Sequence, residues 1–207
     1  SLGYVGWTDF ENAFSNCENL TTVAGGDTSK VTSMQGMFKD SPLVTPDTGT
    51  WDTSNVTNMM EMFHNANAAN PDTGTWDTSN VANMKEMFRD ASAANPDTSN
   101  WDTSSVTTMQ AMFQDASAAN PDTSNWDTGN VTIRGMESLF FGATNANPDV
   151  SNWDISNITK LSAMFTNAPL ANPNMQDWDF SSVNQISNML VGSGITRANY
   201  SQFLVQL

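Results

Sequence analysis

Apolar residues recur at steps of three, three, one and three along the second half of a repeated unit, as in Val81, Met84, Met87, Phe88 and Ala91. The same steps carry Val56, Met59, Met62, Phe63 and Ala66, then Val106, Met109, Met112, Phe113 and Ala116. Ile158, Leu161, Met164, Phe165 and Ala168 repeat them with conservative changes. That spacing lines one face of a helix of period 3.6 and predicts a short helix of about three turns. A D-T-S-N or similar run stands before each helix, and its short oxygens suit the free amides of a first turn. Asp77, Thr78 and Ser79 are therefore cap candidates, with Lys85 and Arg89 toward the end where a helix favours cations.

The other half of the unit, N-P-D-T-S-N-W and its variants, is too polar and short for a helix, and its proline forbids a helix interior. It reads as an extended segment. Units that differ reveal its orientation: Thr73, Thr98 and Thr123 give way to Val23, Val150 and Met175, while Thr53, Thr78, Thr103 and Thr128 become Ile155 and Phe180. Positions that accept such residues face inward, and alternation turns Asp72, Gly74 and their equivalents outward.

Trp51, Trp76, Trp101, Trp126, Trp153 and Trp178 mark the period, with gaps of 25, 25, 25, 27 and 25 residues. One extended segment and one short helix in such a period make the unit of a leucine-rich-repeat stack. The fold predicted is a right-handed α/β leucine-rich-repeat solenoid with a parallel sheet on its concave side. The two extra residues before Trp153 align within Thr132 to Arg134, in the helix half, so the sheet is expected to run unbroken.

The formal charge of -15, from 22 acidic residues against 7 lysines and arginines, argues against nucleic acid and acidic membranes as partners. The longest apolar runs are only a few residues, so no membrane insertion is expected, and the first residues lack the charged and apolar regions of a leader. The chain reads as a soluble piece of something longer. Cys17 is the only cysteine, so no internal disulfide is possible, and it is read as a small core residue.

The run W-D-T-S-N-V-T-N-M-M-E-M-F, Trp51 to Phe63, resembles the signature of the BspA-like leucine-rich-repeat surface proteins of bacteria. WTDFENAFSNCENL, Trp7 to Leu20, is similar to that family's opening unit, and GITRANYSQFLVQL, Gly194 to Leu207, to its closing cap. The resemblance implies one domain over residues 1–207, with an N-terminal cap at 1–25, repeats at 26–190 and a C-terminal cap at 191–207. It also implies an extracellular adhesion module at the bacterial cell surface, carried beside other domains of one adhesin, and no reaction. The chain departs from the family pattern where Trp replaces Phe and where Pro71 and Thr73 replace leucines.

Two rows of Asp are the candidate sites. Asp47, Asp72, Asp97, Asp122 and Asp149 would lie a strand apart, and like charges about 4.8 Å apart repel by about 0.9 kcal/mol per pair even in water. Three readings stay open for this row: bound Ca²⁺, for which these five are candidate ligands, a cationic group of a ligand, or a solvated face held by neighbouring Thr, Ser or Asn. The second row, Asp52, Asp77, Asp102, Asp127, Asp154 and Asp179, is read as helix caps, with calcium at the turn the lesser alternative. The candidate ligand face adds Asn70, Asn95, Asn120 and Asn147 beside the first row and Gly74, Ser99, Ser124 and Ser151 beyond it.

The tryptophans and methionines are expected inside. His64, the sole histidine, is read as a surface residue, and one His with one Cys gives no zinc cluster from the common ligands. Every carboxylate pair recurs from unit to unit, whereas active sites break symmetry, so no enzyme is expected. The functional expectation is an extracellular module that binds a cell-surface protein, peptide or glycan through its acidic face, or else a spacer stiffened by Ca²⁺. Two further ideas are ice binding by repeated Thr and sugar stacking on exposed Trp. The inward Thr speaks against the first, and the expected burial of Trp against the second.

Overall fold

The destination of each backbone amide decides the architecture, because buried amides must be paired. The computed structural model describes residues 2–3, 6–132 and 134–206. Between Met59 and Ala66 the amides alternate. Those of Met59, Glu61, Phe63 and Asn65 donate to the carbonyls of Asn83, Lys85, Met87 and Arg89 in the next unit, at 2.8 to 2.9 Å. Those of Met62, His64 and Ala66 bond back three residues, to Met59, Glu61 and Phe63, at 3.2, 3.1 and 3.0 Å. Glu61 and Asn65 hold φ of 55° and 62°, the left-handed conformation that a type II turn places at its third position.

The predicted helix is therefore a run of β-turns. A step of three is as natural to successive turns as to a helix, so both bury the same residues: Val81, Met84, Met87, Phe88 and Ala91 are all fully buried. Asn and Asp, which tolerate the left-handed region, fill its second site in most coils, at Asp40, Asn65, Asp90, Asp115 and Asn167.

The extended half alternates as expected. Ala94, Pro96 and Thr98 are buried while Asn95 and Asp97 are exposed. It does not form a sheet, because side chains have taken over the ladder. Proline has no amide to give. The Asn95 amide donates to Asn70 Oδ1 at 2.9 Å, and Asn120 and Asn147 continue the pattern at 2.9 Å each. The Asp carbonyls accept from buried threonines, Thr73 to Asp97 and Thr98 to Asp122 at 2.7 Å each. Where Thr45 stands in the Asn position, backbone bonding returns: Thr45 and Asp47 donate to Thr21 and Val23 carbonyls at 2.8 and 2.9 Å.

The right-handed leucine-rich-repeat solenoid with a parallel concave sheet is thus not the fold. Among the described residues pairing is limited to isolated parallel bridges, which in the turn half run from Asp9 through Ser33, Asn58 and Asn83 to Thr108, with Lys160 to Gln185 beyond, and at the front join Gly3 to Gly26, in the position that Trp takes in later coils. The α-helix described, α1 (Arg197–Gln206), lies at the end of the stack, where Phe203 meets Phe180 edge-on at 5.5 Å.

The two extra residues follow Thr132, and one of them, Ile133, lies outside the described residues. Thr132 still donates to the Thr107 carbonyl at 3.0 Å, and Met109 reaches the Gly135 carbonyl at 2.8 Å, so register resumes at Gly135. A Cβ there would sit 3.0 and 3.1 Å from the carbonyl oxygens of Thr132 and Thr107, which explains glycine at this point.

Between the two halves of each coil runs the core. Phe14, Phe38, Phe63, Phe88, Phe113, Phe140 and Phe165 stack in file with ring centroids 5.4 to 5.8 Å apart. Trp51, Trp76 and Trp101 form a parallel file at 6.4 and 6.5 Å, and Trp126, Trp153 and Trp178 another at 5.9 and 6.5 Å. No indole of these six is more than 3% exposed, as their period suggested. Offset ring stacking adds to the area each buries. Cys17 takes the slot that Ala66 and Ala91 fill elsewhere, in the first coil, and is only partly buried rather than a core residue.

Candidate functional site

Each Asp of the first row is exposed, and its two neighbours point inward. Three of them are held by the residue two ahead. Asp97 Oδ1 accepts from the Ser99 hydroxyl at 2.7 Å and amide at 3.1 Å, and Ser124 and Ser151 hold Asp122 and Asp149 the same way at 2.7 and 3.0 Å. Gly74 offers Asp72 only its amide, at 3.4 Å. The hydroxyl bonds, and then the amide bonds, hold the carboxyls of Asp97, Asp122 and Asp149 below the usual Asp range. At Asp122 the charges of Asp149 and Asp97 push the other way and are outweighed. The expected repulsion along the row is thus offset by local hydrogen bonds.

The second row does the same work, and the expected helix caps become turn-forming carboxylates. Asp52 and Asp77 accept from the hydroxyls of Ser54 and Ser79 at 2.6 Å and from their amides at 3.0 Å. Asp179 alone caps a helical turn, the 3₁₀ segment Phe180–Ser182, through the Ser181 amide. Asn70, Asn95 and Asn120, placed on the ligand face from sequence, lie beside the Asp row, but their Oδ1 atoms staple one coil to the next.

A second constellation, in the turn half, was not anticipated. Lys39 Nζ lies 2.7 Å from Glu61 Oε2, and Glu86 meets Lys85 at 3.3 Å and Arg89 at 3.2 Å. His64 sits within this group. Its side chain is 15% exposed, so it is not the surface residue its sequence neighbours suggested. Nδ1 faces Glu86 Oε2 at 3.5 Å and Nε2 faces Asp90 Oδ2 at 3.9 Å, and Nδ1 is buried without a hydrogen-bond partner. Donor atoms of Glu61, His64 and Glu86 all lie within 4.8 Å of one another, so these three could hold a metal ion.

The electrostatics follow from packing. Burial pushes the Glu86 carboxyl up, but Lys85 and Arg89 together outweigh it and bring it below the ordinary range. The Glu61 bond raises Lys39. Asp115, with burial dominant and Asp90 nearby, is raised. A signal for this cluster does exist in the sequence. Glu61 and Glu86 are one period apart, and His64 occupies the slot filled by Lys39 and Arg89 in the adjacent coils.

Neither a curated protein nor a solved structure shows significant similarity to the chain. No helix among the described residues is long and apolar enough to cross a membrane. One family does match, twice, over residues 8–126 and 92–203, as two overlapping runs of such coils would, and the chain accordingly belongs to the family described as "Mycoplasma protein of unknown function, DUF285".

Proposed function

We propose that the chain is a binding module of a bacterial surface protein, and that the row Asp47, Asp72, Asp97, Asp122 and Asp149 takes a cationic segment of a protein or peptide partner. One observation carries this reading: five exposed carboxylates, one per coil, share a face whose extended segments contain no Lys or Arg. Such a face has a single-sign field that attracts and orients cationic partners. The Ser bonds fix three of the carboxylates in one geometry, so little order is lost on binding. Display outside the cell, beside other domains of one adhesin, is supported by the similarity of Trp51 to Phe63 to BspA-like surface proteins.

The test is binding of a lysine-rich peptide by wild type and by the double variant Asp97→Asn, Asp122→Asn. Asn keeps an oxygen for the Ser bonds and removes only charge. Two charges at about 1 kcal/mol each in water set an upper bound near thirtyfold, and about tenfold is expected after salt screening. The binding of wild type weakens as salt rises. Equal affinity of the two proteins would remove the acidic row from the account.

A further inference from the structure

The Glu61, His64 and Glu86 cluster has one unexplained feature. His64 Nδ1 is buried, faces Glu86 Oε2 at 3.5 Å and has no hydrogen-bond partner, while Nε2 lies 3.9 Å from Asp90 Oδ2. With the donor atoms of Glu61, His64 and Glu86 within 4.8 Å of one another, that unpartnered nitrogen stands where a cation would join it to both carboxylates. The local charge agrees. Glu61, Glu86, Asp40, Asp90 and Asp115 give five negative charges against three positive ones on Lys39, Lys85 and Arg89, a balance of two negative.

The geometry points to a transition-metal site in which His64 Nδ1 and one carboxylate oxygen each from Glu61 and Glu86 bind Zn²⁺, leaving the fourth position to water. One imidazole and two carboxylates with an open position are ligands that zinc accepts. Ligand atoms about 2.0 to 2.2 Å from a tetrahedral ion stand roughly 3.4 Å apart, which the His64–Glu86 pair at 3.5 Å already meets. Asp90 Oδ2, 3.9 Å from Nε2, is the nearby carboxylate that would orient a ligating imidazole through its second nitrogen after a small approach. Lys39, Lys85 and Arg89, which hold these carboxylates in the absence of metal, are 31 to 35% exposed and free to swing into water when the ion enters. Among the described residues this arrangement is made once: in the next coil Ala111 and Gln114 stand in the places of Glu86 and Arg89. It is independent of the acidic row.

The experiment is calorimetric titration of Zn²⁺ into metal-free wild type and into the variants His64→Gln and Glu61→Ala, with imidazole ¹⁵N spectra of the wild type. Both substitutions put into a coil what another coil already carries, Gln114 and Ala111. Expected are one Zn²⁺ per wild-type chain, at least tenfold weaker binding in each variant, and displacement of the Nδ1 resonance on addition of Zn²⁺. Equal affinity in His64→Gln, or an Nδ1 resonance unmoved at saturation, overturns the assignment. The wild-type spectrum decides even if a variant folds poorly.

Discussion

Replacing Thr98 with Val removes one hydroxyl from the interior and keeps its shape. Thr98 is 2% exposed, and its hydroxyl donates to the Asp122 carbonyl of the next coil at 2.7 Å. No other hydrogen bond to that carbonyl occurs among the described residues. Removing the donor leaves the carbonyl without a partner, which costs about 1 to 3 kcal/mol, partly returned by the methyl that replaces the hydroxyl. The expected loss is about 2 kcal/mol. With a urea slope of about 2 kcal/mol/M, the midpoint of urea unfolding falls by about 1 M at unchanged slope. The chain also permits the reverse change. Val150 is fully buried in the same slot, and the matching carbonyl is that of Asn174. Val150→Thr should therefore stabilise by about 1 kcal/mol. If the slot offered no acceptor, the new hydroxyl would destabilise instead. A Thr98→Val protein as stable as wild type, or a destabilised Val150→Thr, would refute the claim that inward hydroxyls join the coils.

Three further outcomes are expected. Ala163 holds φ of 57°, so Ala163→Gly relieves a left-handed conformation worth about 1–2 kcal/mol and gives back about 0.5–1 kcal/mol of glycine entropy, raising stability by about 0.5 kcal/mol in urea unfolding. Serine bonds depress the carboxyls of Asp97, Asp102, Asp122, Asp149, Asp154 and Asp179 below 3.8, so their contribution is fully present above that value and lost as pH falls through the lower native ones. Thermal melts should hold level down to about pH 4 and drop below it, and a rise in stability at pH 3 would reverse the assigned sign. Because local hydrogen bonds offset the repulsion along the first Asp row, calcium titrated into metal-free protein should leave the melting temperature in place, whereas a dose-dependent rise that Asp97→Asn, Asp122→Asn abolishes would show an ion bound there.

Burial was legible in the sequence and secondary structure was not, for one reason. The steps of Val81, Met84, Met87, Phe88 and Ala91 report which side chains share a side, and a turn run and a helix satisfy them equally. What separates them is the residue at the left-handed sites. The Asn or Asp after each Met-Phe-x, at Asp40, Asn65, Asp90, Asp115 and Asn167, is a turn signal that hydrophobic spacing overrides when read alone. In the extended half, substitution of Thr73 by its Val and Met equivalents showed the inward face correctly, but a proline in each Trp-containing segment, Pro46 to Pro173, already argued against a paired strand. The slot of His64 within its own coil points to the surface, because nothing in that coil covers it. Its partner Glu86 is 22 residues away and only the stacking brings it near.

The bonding of the Glu61 amide tests the central claim most directly. In this stack Glu61 donates to the Lys85 carbonyl of the following coil at 2.9 Å, while an α-helix would direct the same amide to Thr57, four residues back. A through-hydrogen-bond scalar coupling between the Glu61 nitrogen and the Lys85 carbonyl carbon is the result predicted, together with the H–N–Cα–H coupling of a positive φ at Glu61. A coupling to the Thr57 carbonyl carbon instead would restore the helix and contradict the account.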